Sequence, residues 1–207
     1  MIVFQILAII VLYASFGLVH TVLAKLNVKK SVAVRYPKLL PYYRLFYTLL
    51  SFMHLYFVYR LTPSIDIKLY DLQYPYDFII LIFQLQGLLG FLWTFQYFNV
   101  KEFLGINQLF RKIHDNYENA TLDEESKLII KGPFLWCRHP EYFFVIMFLV
   151  LRPTMSLDYF VSLICIVAYF YIGTFYEEQR LLEKFGEHYS EYQKLVPRLL
   201  PIRFRKR

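Results

Sequence analysis

The stretch IVFQILAIIVLYASFGLVHTVLA, Ile2–Ala24, decides the fold class, because its 23 residues include no Asp, Glu, Lys or Arg. A helix advances 1.5 Å per residue, so about 20 apolar residues cross a hydrocarbon core of about 30 Å, in which every backbone polar group has to be paired internally. Residues 42–61 and 77–98 meet the same requirement. A fourth crossing is expected over 134–157, kinked at Pro153, and a fifth over 158–176. The first segment is expected to be retained rather than cleaved, since it lacks a basic leader and outruns the 7–15 apolar residues of a signal peptide.

The composition agrees. The 207 residues are 57% hydrophobic and 20% aromatic, with 19 Tyr and 21 Phe, and only 19% are charged. A disordered chain would be charge-rich and poor in aromatics. The net charge of +7 is carried by basic residues that punctuate apolar runs, so lipid headgroups rather than nucleic acid are the expected counter-charge. Two cysteines, Cys137 and Cys165, are too few for a disulfide framework, and Cys137 reads as structural. The fold class expected is all-α: a polytopic membrane bundle of five crossings, residues 1–207 as one membrane domain, with a C-terminal core over 132–207.

Lys and Arg are retained on the cytoplasmic face of a membrane protein, which assigns sidedness. Nineteen of them fall in 25–38, 101–138 and 180–207, against Arg60, Lys68 and Arg152 on the opposite side. The N-terminus is therefore expected outside and the C-terminus in the cytoplasm. From Glu177 onward, EEQRLLEKFGEHYSEYQ sets Leu181, Leu182, Phe185, Tyr189 and Tyr192 at near-helical spacing, the pattern of an interfacial amphipathic helix that lies on the membrane or caps the bundle. Residues 111–131 are the most polar run and read as a solvated loop, with an idle Asn119-Ala120-Thr121 sequon.

Ionisable groups at the edge of lipid are expensive and mark candidate sites. Arg138, His139 and Pro140 stand where crossing four enters, and Glu177 and Glu178 where crossing five leaves. Consecutive antiparallel helices bring these to one end of a hairpin. His20 and Arg44 are expected in the same layer. A plainer reading stands beside each: Arg138 snorkels, Pro140 opens a helix, the two Glu are solvated, and His20 and His54 are packed between helices. No metal site is expected. The glycines contain no G-x-G, and H-E-x-x-H, C-x-x-C and G-x-S-x-G are absent, which removes Rossmann, P-loop, zincin and α/β-hydrolase chemistries.

The run Gly132-Pro133-Phe134-Leu135-Trp136-Cys137-Arg138-His139-Pro140-Glu141-Tyr142 resembles the G-P-[YF]-x-x-x-R-H-P-x-Y signature of the integral-membrane methyltransferases, the superfamily of isoprenylcysteine carboxyl methyltransferase and the phospholipid methyltransferases. The resemblance continues through Glu177-Glu178, Leu182, Phe185-Gly186, Tyr189, Tyr192 and Val196-Pro197. In the front half, Gly17 to Ala24, Tyr42-Tyr43-Arg44 and Glu102 to Gly105 look like the branch that holds methanethiol S-methyltransferase, NnrU proteins and nurim. Where the family has Gly two residues after the Tyr, this chain has Phe144.

The resemblance implies S-adenosylmethionine as methyl donor and a thiol or other small or lipophilic acceptor. It implies Arg138, His139 and Glu178 as catalytic residues. Pro140, Tyr142, Glu177 and Tyr189 join them around the cofactor, and His20, Arg44 and Arg198 stand on the acceptor side. The alternative is a non-catalytic NnrU- or nurim-like structural or accessory membrane protein. A transporter would carry its charges at mid-bilayer rather than at one edge.

Cysteine-accessibility labelling from outside intact cells is expected to reach a probe at Ser64 and to miss one at Ser126. Labelling of Ser126 from outside overturns the orientation.

Overall fold

The computed structural model describes residues 1–117 and 127–202, so the Asn119 sequon and the probe position Ser126 lie outside the described residues. The described chain is nearly all helical. In order come α1 (Ile2–Ala24), α2 (Leu26–Arg35), α3 (Leu40–Leu61), β1 (Lys68–Asp71), α4 (Tyr76–Thr94), α5 (Val100–Leu104) and α6 (Ile106–Ile113). Then follow α7 (Pro140–Val150), β2 (Thr154–Ser156), α8 (Leu157–Phe185) and α9 (Glu187–Leu195). Among the described helices, α1, α4 and α8 are long and apolar enough to cross a membrane. Helix α3 has 22 residues but carries Arg44, His54 and Arg60, and α7 is apolar but has only 11.

The described chain forms two compact units, residues 3–63 with 99–117 and 127, and residues 64–98 with 128–202. In the first, α1 pairs with α3. The Tyr43 hydroxyl donates to the Leu23 carbonyl at 2.7 Å, and Ser15 Oγ lies 3.3 Å from His54 Nε2. The stretch 25–38, basic in sequence, folds as α2 and a 3-10 turn at Pro37–Leu39, and Arg111, expected in a loop, belongs to α6. There it makes a bidentate pair with Glu102, at 2.8 and 3.0 Å.

The second unit holds α4, α7, α8 and α9. The segment expected to make a fourth crossing departs from expectation: the helix stops at Val150 instead of continuing with a kink to 157. Pro153 has no N–H, clashes with a preceding helical turn and disfavours helical backbone at Arg152. The chain turns extended and β2 pairs antiparallel with β1, Tyr70 opposite Met155 and Asp71 opposite Thr154. The Asp71 carboxylate accepts from Lys68 Nζ at 2.8 Å and from Thr154 Oγ1 at 2.7 Å, and these bonds hold its pKa below the ordinary value. At the other end α8 runs through Phe185 without a break. Gly186, at φ +56°, separates it from α9, a conformation that favours glycine. The apolar face of α9 packs back on the end of α8: Tyr189 and Tyr192, with Val196 just beyond the helix, are buried against Leu128, Leu181 and Phe185.

The contact of α4 with α7 accounts for Phe144. A Cβ at Gly87 would lie 2.8 Å from the Phe148 backbone nitrogen, and one at Gly90 would collide with the Phe144 ring. The small residues that let these backbones approach stand on α4, so α7 accommodates an aromatic ring at position 144. Gln84 Nε2 adds a bond to the Phe148 carbonyl at 3.0 Å.

Gly90→Ala is expected to cost about 1–3 kcal/mol by overpacking. Gly90→Ala combined with Phe144→Leu should lose less than the two single variants together, as measured by thermal unfolding in detergent. Strict additivity would refute the contact.

Candidate functional site

Glu178 is the centre of the site. It stands on α8 four residues after Thr174, and both are buried, Glu178 at 2% exposure. Arg138 reaches its carboxylate with two nitrogens, Nε to Oε1 at 2.7 Å and Nη2 to Oε2 at 3.0 Å. Arg198 donates to Oε2 from Nε at 3.2 Å and lies 3.0 Å from it through Nη2. Gln193 Nε2 donates to Oε2 at 3.0 Å, and His139 Nε2 lies 3.2 Å from Oε1. A buried carboxylate is tolerated when its charge is paired and its lone pairs are satisfied, and this donor set does both.

The remaining valences of Arg138 hold the tail. Its Nη1 donates to the Val196 carbonyl at 2.6 Å and to that of Gln193 at 3.0 Å. Backbone pairing runs alongside, from Arg138 N to Pro197 O at 2.9 Å and from His139 N to Arg198 O at 3.1 Å. The Arg198 guanidinium lies 3.9 Å from the centroid of the Phe175 ring. Pro140 opens α7 at its first turn, where its missing N–H costs nothing.

His139, at 2% exposure, is ringed by three carboxylates. Its Nδ1 lies 3.6 Å from Glu177 Oε2 and 3.8 Å from Glu141 Oε1, opposite the Glu178 contact. The His139 ring stacks on Tyr142 at 5° and 5.5 Å, and Tyr142 stacks on Phe170 at 5° and 4.7 Å. The Tyr142 hydroxyl donates to Glu177 Oε2 at 3.3 Å. Phe170 and Glu177, seven residues apart, share a face of α8. Glu177 differs from Glu178 in its surroundings: its side chain is 35% exposed and no guanidinium contacts it among the described residues. The cluster holds three carboxylates against two guanidiniums. A proton on His139 or a bound cation neutralises the excess.

Arg138, His139, Tyr142, Glu177 and Glu178 thus meet at one end of the α7–α8 hairpin. The Arg138 side chain is turned inward at 9% exposure rather than snorkelling, and Glu178 is enclosed rather than solvated. Arg198, expected on the acceptor side, contacts Glu178. Tyr189 lies in the buried cluster beneath α9, where burial and the Glu178 charge push its hydroxyl above the usual phenol range. His20 and Arg44 belong to the first unit. His20 bonds Tyr47 and Ser51, and Arg44 Nε donates to the Phe103 carbonyl at 2.8 Å. Glu141 and Gln193 were missed. Gln193 carries a readable signal, since it falls one helical turn after Tyr189. An apolar groove of about 640 Å³ opens beside α9, between Leu195 and Val196 and the stretch carrying Leu128, Ile130 and Leu135.

Glu178→Gln is expected to destabilise the chain by about 3–5 kcal/mol, because it leaves two guanidiniums around an uncharged group. Glu177→Gln should stay within about 0.5 kcal/mol of the parent. Equal melting of the two variants in detergent would contradict this division.

A segment of 64 residues is 42% identical to the methanethiol S-methyltransferase of Pseudomonas deceptionensis, covering 31% of this chain and 24% of that protein. The chain therefore spans about a quarter of the length of the curated relative it matches. No family model matches the chain, and no solved structure matches it. The likeness is to a methyltransferase, and it is partial.

Proposed function

We propose that the chain is a membrane-embedded methyltransferase that carries the methyl group of S-adenosylmethionine to a thiol or another small or lipophilic acceptor. The observation that carries this reading is the cluster at the end of the α7–α8 hairpin, in which one carboxylate is enclosed and a second, Glu177, is left partly open beside Tyr142 and His139. The likeness to a methyltransferase supports it. The donor set fits the cofactor: Glu177 with Glu141 suits its α-amino group, and the partly exposed Arg198 guanidinium suits its carboxylate.

When bound, S-adenosylmethionine supplies an electrophilic methyl group on a sulfonium. The work of the chain is to orient the reactants and exclude water, contributions on the order of 7–11 kcal/mol for well-aligned groups. Glu178 acts by holding Arg138, Arg198 and His139 in place, and Glu177 is the carboxylate that binds. In the bilayer we read five crossings, α1, α3, α4, α7 with its extended continuation, and α8, with the N-terminus outside. From Asp158 to Glu177 a helix rises about 29 Å, close to the hydrocarbon thickness, so both Glu fall at the cytoplasmic edge. Saturation of Glu178 by donors of the chain itself favours a second reading, a structural or accessory protein that keeps the fold.

Calorimetric titration with S-adenosylhomocysteine separates the two. The detergent-purified parent should bind it. Glu177→Gln should weaken binding by about 1.5–3 kcal/mol, roughly 10- to 150-fold, with melting unchanged in the absence of ligand. A parent that does not bind supports the structural reading.

A further inference from the structure

Helix α6, in the first unit, is built inside out. A helix turns about 100° per residue, so Ile106, Phe110 and Ile113 share one face and Gln108, Arg111 and Lys112 lie opposite. In a water-soluble fold the apolar face would turn inward. Here Phe110 and Ile113 are 53% and 63% exposed, whereas Gln108 is 6% exposed and Arg111 is paired with Glu102. Gln108 Nε2 donates to the Glu102 carboxylate at 2.7 Å and to its backbone carbonyl at 3.3 Å, so the polar face is the one that docks.

Gly105 fixes this phase and the depth of the helix. It stands at φ +87° between α5 and α6, and a Cβ there would collide with the backbone of Arg44 and Leu45, so the turn closes directly on the N-terminal end of α3. Arg44 Nε holds it there through the Phe103 carbonyl. At the same level the Tyr43 hydroxyl bonds the Leu23 carbonyl, one residue before α1 ends. Since α1 is long and apolar enough to cross a membrane, α6 is held where such a crossing runs out into the headgroup layer.

Charge concentrates at the same end. Residues 25–44 hold six Lys or Arg and no Asp or Glu, and residues 99–117 add three against two, an excess equal to the net charge of +7 of the whole sequence. Leu26, Lys30 and Val34, spaced i, i+4 and i+8, form an exposed row on α2, and Lys25, Arg35 and Lys38 are exposed around it. A nucleic acid or an acidic protein would satisfy these charges and leave Val34, Phe110 and Ile113 in water. Anionic lipid satisfies both, with acyl chains for the apolar side chains and phosphates for the basic ones. We infer that α6 is an interfacial helix, with Phe110 and Ile113 among the acyl chains of the leaflet where α1 ends, and that the basic end of this unit selects anionic phospholipid there. This surface is independent of the methyltransferase reading.

The test places the full chain in phosphatidylcholine nanodiscs with a bimane label at Ile113→Cys or at Val34→Cys, each with Cys165→Ser; the remaining Cys137 is buried. Doxyl-labelled lipid should quench the label at position 113, and aqueous iodide should not. Quenching there by iodide and not by lipid overturns the insertion. At position 34, trace doxyl-phosphatidylglycerol should quench at least about fivefold more than doxyl-phosphatidylcholine, the enrichment expected from a single basic residue at the surface. The triple variant Lys30→Gln/Arg35→Gln/Lys38→Gln should remove the difference, as should about 1 M NaCl. Equal quenching by the two lipids in the parent, or a preference that survives both treatments, overturns the selection of anionic lipid. A parent found by light scattering to be a dimer, and turned into a monomer by Ile113→Glu, assigns the apolar face to a second copy and overturns the lipid.

Discussion

A carboxylate enclosed at the end of an apolar helix is a costly object, and the second unit is arranged around making Glu178 affordable. Moving such a charge out of water costs several kcal/mol even after relaxation, and attraction to partners offsets this only with good geometry and full hydrogen bonding. Arg138 supplies the bidentate contact, and Arg198, Gln193 and His139 take the remaining lone pairs. These donors come from the stretch before α7, from α9 and from the tail beyond it. One charge on α8 thereby sets where three other pieces of chain end up, and the 138–139 pairing with 197–198 follows from it.

The same economy leaves Glu177 distinct from its neighbour. Adjacent residues on a helix point about 100° apart, so one carboxylate enters the donor cage and the other opens toward His139, Glu141 and Tyr142. The stacked rings of His139, Tyr142 and Phe170 then form a wall that runs down the hairpin from the charged end. Close approach of α4 and α7, permitted by Gly87 and Gly90, supports α7 from its other side.

Much of this was legible in the sequence because it depends on spacing and chain reversal. The bounds of α1 follow from the absence of charge between Ile2 and Ala24, and the meeting of Arg138 with Glu178 follows from two consecutive antiparallel helices. What depends on helix phase or on non-periodic chain was not legible. Nothing in the dipeptide Glu177-Glu178 says which side chain is enclosed until α8 has packed. Arg198 sits in a tail flanked by Pro197 and Pro201 with no period to read, so only its backbone pairing with His139 reveals where it goes. The stop of α7 at Val150 was readable from Pro153. The partner of the extended strand that follows was not, since β1 is 83 residues away in the chain, from Asp71 to Thr154.

The donor cage also imposes an order on biosynthesis. Glu178 leaves the ribosome before Gln193 and Arg198, and at about 5–20 residues per second the last donor follows it by about 1–4 s. During that interval the carboxylate has only Arg138 and His139 as partners, and its charge is half satisfied. The tail beyond Gly186 therefore works as a clasp: once residues 193–198 arrive and pair with Arg138, the hairpin can no longer separate without exposing a charge on each side.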